Sequence, residues 1–418
     1  MNVMEEAEEA VRRYQGMLSG ERIRRLEQVG VEVASSQEKL RLKSGLRVRY
    51  EVEVCCLQAI RIKRRDTSGM NSTQESVLDR DAASTLFKRI ERLAVKTLYT
   101  LGLDHGAVRL EASGKTGCAV ISIDPRPWKG MTDLTTLYRA GWSELQTALD
   151  EERRHQVIPV LGMDPEFLLV QMPESKIVPA SRFLERTGLA GCDSVTIGGR
   201  RIYPVAELRP SPSAEPRELL THLLRAFNLA SRSITDHSLI WQAGGMPQRG
   251  LPLGGHIHFS GVTLSGQLLR ALDNYLALPL AFLQDPRGDG RRPRYGVLGD
   301  FRVKSYGGFE YRTLPSFLVS PLVAKGVVAL ARLIAGNFLN LRQRPLAQAH
   351  VHTAFYEGDR DVMQRYIPTL LDDLTRLSGY EKVERYAAPL IRQLREGNTW
   401  DESRDIRKLW NIRASHEE

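Results

Sequence analysis

Four short segments in the second half of the chain alternate between charged and apolar residues, and this alternation constrains the fold more than any other feature. Side chains along a β-strand point to opposite faces with a period of two. Each segment therefore predicts a strand with one apolar face and one charged face. The segments are DPEFLL (164–169), AELRP (206–210), GGHIHFS (254–260) and FEYRTL (309–314).

The charged faces of these segments contain residue types that bind divalent cations. They carry Asp164 and Glu166, Glu207 and Arg209, His256, His258 and Ser260, and Glu310 and Arg312. If the four strands join one antiparallel sheet, their apolar faces pack under helices and their charged faces meet. Carboxylate oxygens suit Mg²⁺ and Mn²⁺, and imidazole tolerates Mn²⁺. Each segment alone is typical of ordinary packing, so the prediction of a cation-binding face depends on the ordered set of four.

A basic stretch, RGDGRRPRYGVLGDFRVKSYGG (287–308), lies between the third and fourth segments. Arginine presents a planar fork that matches phosphate oxygens bidentately. Beside metal-binding carboxylates, such a stretch predicts a site for a nucleoside triphosphate. An exposed loop and a nucleic-acid contact are alternatives, although the stretch lacks the interleaved aromatic residues of a stacking platform.

The ordered set of motifs resembles the glutamine synthetase and glutamate–cysteine ligase superfamily, and within it the carboxylate–amine ligases called amidoligases. The resemblance covers roughly residues 158–340 and rests on GMDPEF, VAELRPSP, GGHIHFS, RYG followed by FRVKSYG, and FEYRTLPSFL. It implies an α+β fold: a curved antiparallel sheet of the superfamily's type with helices on its outer face, followed by C-terminal helices.

The resemblance also implies roles for individual residues. The implied metal ligands are Asp164, Glu166, Glu207, His256 and Glu310. The implied phosphate-binding residues are Arg294, Arg302, Lys304 and Arg312, and the implied catalytic residues are Glu166, His258 and Arg312. Asp164 stands where the family often has Glu, and Glu215 is a weaker ligand candidate at a predicted helix start. Asp193 is interpreted as the start of a hairpin, DSVTIGGRRI.

The implied reaction is ATP-dependent and ADP-forming, and uses Mg²⁺ or Mn²⁺. It forms an amide, as a peptide or isopeptide bond, through an acyl phosphate. The expected substrates are a carboxylate and an amine, each a small molecule or a peptide. Three alternatives stay open: a guanidino kinase, a non-catalytic structural or binding protein that kept the fold, and a nucleic-acid binder. A homo-oligomer is compatible with the superfamily.

The 418 residues allow two domains, and the texture of the chain changes near residue 154. We expect a small N-terminal α+β domain of unknown role at 1–153 and an amidoligase-like catalytic domain at 154–418. In the first part, 45–53 predicts a strand, the polar residues 64–76 a loop, 82–102 a helix, and the segments flanking SGKT a hairpin.

Composition bears on the cellular setting. The four cysteines, Cys55, Cys56, Cys118 and Cys192, include no CxxC pair, so we expect idle thiols in a reducing compartment. No signal pattern opens the sequence, and no apolar run approaches the ~20 residues of a membrane helix. These features predict a cytoplasmic protein without membrane association. The net charge of +9 is compatible with phosphates or acidic substrates as well as nucleic acid.

Overall fold

The computed structural model describes residues 2–34, 47–67, 73–78, 85–113, 117–129 and 132–412. Within them the chain forms two compact units, Met1–His155 and Gln156–Glu418. Each unit combines helices with an antiparallel sheet, so the predicted α+β class is confirmed.

The described part of the first unit contains an antiparallel sheet in the order β3-β2-β1-β4-β5. Its strands are β1 (Arg47–Cys55), β2 (Gln58–Thr67), β3 (Thr73–Val77), β4 (Gly106–Ser113) and β5 (Gly117–Asp124). Its helices are α1 (Val3–Gly16), α2 (Ser19–Gln28), α3 (Thr85–Thr100) and α4 (Thr132–Arg154). The hairpin predicted around SGKT corresponds to β4 and β5, although residues 114–116 lie outside the described residues.

The prediction of a loop over 64–76 is wrong at both ends. Residues 64–67 belong to β2 and residues 73–76 to β3, and the two strands pair antiparallel. Arg65 lies opposite Glu75 and its Nε is 2.9 Å from Glu75 Oε2. Charge pairs across the strands favour this ladder where an apolar pattern is absent.

The described part of the second unit contains a curved antiparallel sheet in the order β12-β13-β11-β6-β9-β8, with β7 and β10 also paired to β6. The strands are β6 (Val160–Gln171), β7 (Lys176–Val178), β8 (Ala190–Ile197), β9 (Arg200–Leu208), β10 (Ile240–Gln242), β11 (Gly255–Ser260), β12 (Phe301–Val303) and β13 (Phe309–Tyr311). All four segments predicted from alternation therefore contribute neighbouring strands to one sheet.

In the second unit, helices lie between the strands along the chain and form most of its described C-terminal part. They are α5 (Pro216–Ser233), α6 (Gly266–Leu272), α7 (Leu278–Leu283), α8 (Pro321–Asn337), α9 (Ala349–Glu357), α10 (Arg360–Gln364), α11 (Ile367–Thr375), α12 (Tyr380–Glu396) and α13 (Ile406–Trp410). A π-helical segment, Asp273–Ala277, joins α6 to α7, and 3₁₀ turns occur at Ala180–Arg182, Pro286–Arg291, Phe317–Val319, Phe338–Asn340 and Pro345–Ala347.

The apolar face of the sheet packs under the helices, as the alternation predicted. Phe167 of β6 stacks on Trp241 of β10 and on Phe227 of α5, with ring centroids 4.7 Å and 6.2 Å away. Phe259 of β11 stacks on Phe309 of β13 at 5.2 Å. Full burial of one such side chain contributes roughly 1.5–3 kcal/mol. This packing fixes which face of each strand is left for the charged residues.

Helix α8 is the most apolar segment of the unit. By length and composition the stretch Pro321–Asn340 would pass for a membrane span, which the sequence prediction did not allow for. About two thirds of it, 67%, is buried inside the protein. Gly326 lets α12 approach closely, because an added Cβ would lie 2.4 Å from Leu390 Cβ. The apolarity of α8 is therefore accounted for by its place in the core.

Candidate active site

The pairing of the strands brings the predicted acidic residues and histidines together. Asp164 of β6 lies directly opposite His256 of β11, and His258 of β11 lies opposite Glu310 of β13. On the other side of β6, Glu166 lies opposite Glu207 of β9. Directly opposed residues have Cβ atoms about 4.5–5.5 Å apart, so one continuous charged surface forms across four strands.

The first of two groups on this surface consists of Asp164, His258 and Glu310, with His256 beside them. One ligand atom from each of the first three lies within 4.8 Å of the others. His258 Nε2 is 2.9 Å from Asp164 Oδ2. His256 Nδ1 is 3.0 Å from Asp164 Oδ1 and 3.4 Å from Glu310 Oε1. Two carboxylates and two imidazoles thus converge on a small volume.

Hydrogen bonds and opposite charges both stabilise the ionised carboxylates of this first group. Burial opposes ionisation of Asp164, but the contacts with His256 and His258 outweigh burial and lower its pKa. Burial also disfavours the charged form of His256, yet Asp164 raises the histidine's pKa overall. Asp164 Oδ1 and Glu310 Oε2 are buried oxygens without an aligned hydrogen bond from any described residue. Buried carboxylate oxygens in this state suit a cation.

The second group consists of Glu166, Glu207 and Asp193, whose ligand atoms also lie within 4.8 Å of one another. Glu166 is buried, and the backbone N–H of Gly254 donates to its Oε2 at 2.6 Å. Burial raises the pKa of Glu166 to about 7. Burial, together with the charges of Asp164 and Glu166, raises the pKa of Glu207 to about 8. Arg209 contacts Glu207 and lowers its pKa, but burial dominates, so without a divalent cation these carboxyls resist full ionisation near neutral pH.

Asp193 is the member of this group that sequence reasoning missed. It was interpreted as the start of a hairpin, and it does lie on β8 next to a bulge. The signal was its spacing along the strand. Gly191 pairs with Glu207, and side chains two positions apart on a strand share a face, so Asp193 lies on the face that carries Glu207. The weaker candidate, Glu215, is exposed at the N-cap of α5, and the described contacts do not place it in either group.

Three cationic side chains surround Glu310. Lys304 Nζ is 2.6 Å from Glu310 Oε2, and Arg302, from the strand opposite, reaches the same oxygen at 3.5 Å. Arg312 Nε is 3.0 Å from Oε1. Burial would raise the pKa of Glu310, but Lys304 and its neighbours lower it overall. Arg302 is half exposed, so its guanidinium remains available to an anion.

The other arginines of the basic stretch lie away from the acidic groups, which for Arg294 differs from the expectation. Arg294 is exposed and lies over the ring of Tyr295, and no ion pair among the described residues joins it to the acidic groups. Arg291 is buried and donates to the carbonyl oxygens of Thr313 and Leu314 at 3.0 and 3.2 Å. Arg292 is also buried, 2.6 Å from Asp289. The structure therefore brings Arg302 and Lys304 to the carboxylates but not Arg294.

With this geometry established, a comparison with protein families assigns the class. A family model for carboxylate–amine ligases matches residues 161–412, more than half of the chain. The chain belongs to the family described as phage phiEco32-like COOH.NH2 ligase-type 2. The resemblance to amidoligases is confirmed. The protein belongs to the class of carboxylate–amine ligases.

Other comparisons are weaker. No curated protein matches the sequence. Among solved structures, a bifunctional glutathione synthetase from Pasteurella multocida aligns at 12% identity and TM-score 0.37, covering 65% of this chain and 54% of that one. GmaS, solved apo without ligand, aligns at 12% identity and TM-score 0.36, covering 87% and 96%. A novel glutamine synthase homolog aligns at 14% identity and TM-score 0.28, covering 78% and 95%. Similarities this low carry no inference about function.

Proposed function

We propose that the protein is an ATP-dependent, ADP-forming ligase that joins a carboxylate to an amine in the presence of Mg²⁺ or Mn²⁺. The observation that carries the proposal is the sheet face itself. Two groups of carboxylates lie side by side across β6, and three cationic side chains border one of them. Substrates of this chemistry include small molecules and peptides that present a carboxylate or an amine.

The residues on this face fit divalent cations. In the first group, Asp164, His256 and Glu310 would hold one, since His256 Nδ1 lies 3.0 Å from Asp164 Oδ1 and 3.4 Å from Glu310 Oε1. In the second group, Glu166, Glu207 and Asp193 would hold another, whose charge would offset the burial and the neighbouring carboxylates that raise the pKa of Glu207. When bound, Mg²⁺ supplies charge that offsets the negative oxygens of a transferring phosphoryl group.

The cationic side chains would bind and orient the phosphates of ATP. Arg302 offers an exposed planar fork, and Lys304 a compact point charge two residues away. Arg312 shares Glu310 with them and also lies 3.8 Å from Asp300. Held beside carboxylates, these groups are fixed in place before the charge of the transition state develops, which is the arrangement that stabilises it most.

The proposed reaction needs no protein nucleophile. The substrate carboxylate oxygen attacks the γ-phosphorus of ATP, the bond to the β,γ-bridging oxygen breaks, and ADP leaves. The amine nitrogen then attacks the acyl carbon, a C–N bond forms, the C–O bond to phosphate breaks, and inorganic phosphate leaves. His258 is positioned by Asp164 through a 2.9 Å contact, and we propose that its imidazole accepts the proton lost by the amine.

A thermal-shift experiment tests the nucleotide site without knowledge of the substrates. A ligand that binds only the folded state at 100 times its Kd stabilises it by about 2.7 kcal/mol. We expect Mg²⁺–ATP to raise the melting temperature of the wild type but not of Glu166→Gln. Glu215→Gln, which changes an exposed carboxylate outside both groups, should respond like the wild type. No shift in the wild type would contradict the proposal.

Chemistry can then be tested with pools of carboxylates and amines. We expect ADP release to require both pools and to give an amide detectable by mass spectrometry. A stable phosphorylated product without an amide would instead favour a phosphotransferase. ADP release that is independent of the amine would place the second half of the proposed reaction in doubt.

A further inference from the structure

A second cluster of metal-ligating side chains lies in the first unit, where the proposed ligase reaction has no role for it. Cys55, Cys56 and His105 each offer a ligand atom, and these atoms lie within 4.8 Å of one another. Cys55 and His105 are buried, and Cys56 is half-buried at the turn between β1 and β2. The sequence predicted idle thiols here, because the third member of the cluster is almost fifty residues away.

The turn that carries the thiols has an unfavourable backbone. Cys56 and Leu57 form a two-residue loop and both have positive φ, 52° and 64°. Loops of this length ordinarily use Asn and Gly, because other side chains are strained in the left-handed region. Such strain persists only where the surroundings hold it in place. Here the conformation places the sulfurs of Cys55 and Cys56 3.6 Å apart.

That separation matches the spacing of two sulfurs on one metal ion. With zinc–sulfur bonds of about 2.3 Å and a tetrahedral angle, two thiolates lie about 3.8 Å apart. Helix α4 closes over the pair, and Gly141 makes room for it, since an added Cβ would lie 2.8 Å from Cys55 Sγ. The two sulfurs are therefore already close to a chelating arrangement before any ion is considered.

His105 presents a lone pair, not a proton, at Nδ1. Two groups that can only donate, the backbone N–H of Cys56 and the indole N–H of Trp142, point at this atom from 3.1 Å. Nδ1 must therefore be the unprotonated nitrogen. A cation that binds Nδ1 displaces both donors from this single lone pair, so ligation by His105 exchanges two hydrogen bonds for one metal–nitrogen bond.

We propose that Cys55, Cys56 and His105 bind one thiophilic cation of the Zn²⁺ class. On binding, two S–H bonds break and two protons pass to solvent, two metal–sulfur bonds form, and the imidazole donates its lone pair. Three protein ligands leave one tetrahedral position open to solvent or to a small ligand.

Cobalt is the probe for this site, because a thiolate-to-cobalt charge-transfer band reports sulfur ligation alone and the ligase groups contain no cysteine. We expect the chelator-treated full chain to develop this band with one equivalent of Co²⁺ and to lose it on addition of Zn²⁺. The variant with both Cys55→Ser and Cys56→Ser should lose the band completely. The matched variant with Cys118→Ser and Cys192→Ser should keep it, and so should Glu310→Gln.

A measurement on the wild type guards against a variant that fails to fold. Zn²⁺ should slow alkylation of the peptide that contains Cys55 and Cys56, while the peptides that contain Cys118 and Cys192 react at an unchanged rate. The proposal is overturned if the wild type shows no thiolate band, if the band survives in the double serine variant, or if Zn²⁺ protects all four cysteines equally.

Discussion

Glu166 and Glu207 lie directly opposite each other on β6 and β9, and both carboxyls are buried. Their pKa values are raised to about 7 and about 8, chiefly by burial. Holding two such carboxyls together lowers the stability of the folded protein at alkaline pH, in exchange for the geometry of the proposed cation site. This exchange is measurable, because it makes the metal-free protein sensitive to pH.

The first prediction concerns Glu166→Gln without metal. An unfolded glutamate has a pKa of about 4.3, so the folded wild type binds more protons than the unfolded chain between about pH 4.5 and the folded pKa values near 7 and 8. Its stability therefore falls as the pH rises through that window. Glu166→Gln removes one of these groups and keeps an acceptor for Gly254 N–H. We expect it to be more stable than the wild type at pH 8, by on the order of 3 kcal/mol.

Urea denaturation in the presence of a chelator, at pH 4.5 and pH 8, checks this expectation. The two proteins should be most alike in stability at the lower pH, where both carboxyls are protonated in the folded state and roughly half protonated in the unfolded state. Parallel stability curves across the whole range would show that Glu166 ionises normally and that the second group has no energetic need of a cation.

The second prediction concerns Glu310→Gln. Glu310 is 1% exposed and lies within 3.5 Å of Lys304, Arg302 and Arg312. Removing its charge leaves these cations without their shared partner, and we expect a loss of roughly 2 kcal/mol. The protein should remain folded at room temperature and lose its response to Mg²⁺–ATP. Because the pKa of Glu310 is lowered, its contribution is present above the unfolded pKa and disappears as the pH falls.

Denaturation at neutral and acidic pH separates the two effects. The stability difference between Glu310→Gln and the wild type should shrink as the pH falls below about 4. Unchanged Mg²⁺–ATP binding by this variant would mean that the first group is not the nucleotide-linked metal site.

The third prediction compares two arginines of one stretch. Arg302 lies 3.5 Å from Glu310 and is half exposed, whereas Arg294 is exposed over Tyr295. We expect Arg302→Ala to weaken ATP binding by about tenfold or more, which corresponds to about 1.4 kcal/mol. Arg302→Ala and the matched Arg294→Ala should each change stability by about 0.5 kcal/mol or less, as surface changes usually do. Calorimetric titration with Mg²⁺–ATP distinguishes the two variants. Equal losses of ATP affinity would mean that Arg294 also binds phosphate.

The sequence was sufficient for those features that depend on local alternation. The period of two placed Asp164 with Glu166, and His256 with His258, on single faces, because the strand itself sets that relation. Which strands are neighbours is not local. The pairs Asp164 with His256 and Glu166 with Glu207 follow from the order of β11, β6 and β9, which no spacing within a segment encodes.

The features that sequence reasoning missed share a dependence on tertiary structure. Arg291 and Arg294 cannot be told apart within a run of arginines. Arg291 is buried and donates to the carbonyl oxygens of residues 313 and 314, whereas Arg294 is exposed. The Gly-Gly pair that follows Asp193 indicates a hairpin turn, so Asp193 was interpreted as the start of the hairpin and not as a ligand. The strands at 64–67 and 73–76 were missed because their pairing depends on charges across the ladder.

The fourth prediction follows from the burial of Arg291. Its guanidinium donates to the backbone carbonyls of Thr313 and Leu314, shortly beyond the end of β13, and burial lowers its pKa to about 10. Arg291→Met leaves both carbonyl oxygens without these donors, and we expect a loss of roughly 3 kcal/mol in the free energy of unfolding. Arg294→Met is the matched control and should cost little. A variant of Arg291 with full stability but weakened ATP binding would show that this arginine serves the ligand instead.

The fifth prediction sets Asp193→Asn against Glu215→Gln. Asp193 lies within 4.8 Å of ligand atoms of Glu166 and Glu207, while Glu215 is exposed at a helix N-cap. If Asp193 completes a cation site, Asp193→Asn should raise the Mn²⁺ concentration needed for half-maximal thermal stabilisation by about tenfold or more, since a charged ligand is replaced by a neutral one. Glu215→Gln should leave that concentration unchanged, because its carboxylate is outside both groups. Manganese titration followed by melting temperature measures both variants under one condition. The reverse result, with Glu215→Gln impaired and Asp193→Asn normal, would mean that α5 contributes the third ligand, as the resemblance to the superfamily first implied, and that Asp193 only shapes the bulge of β8.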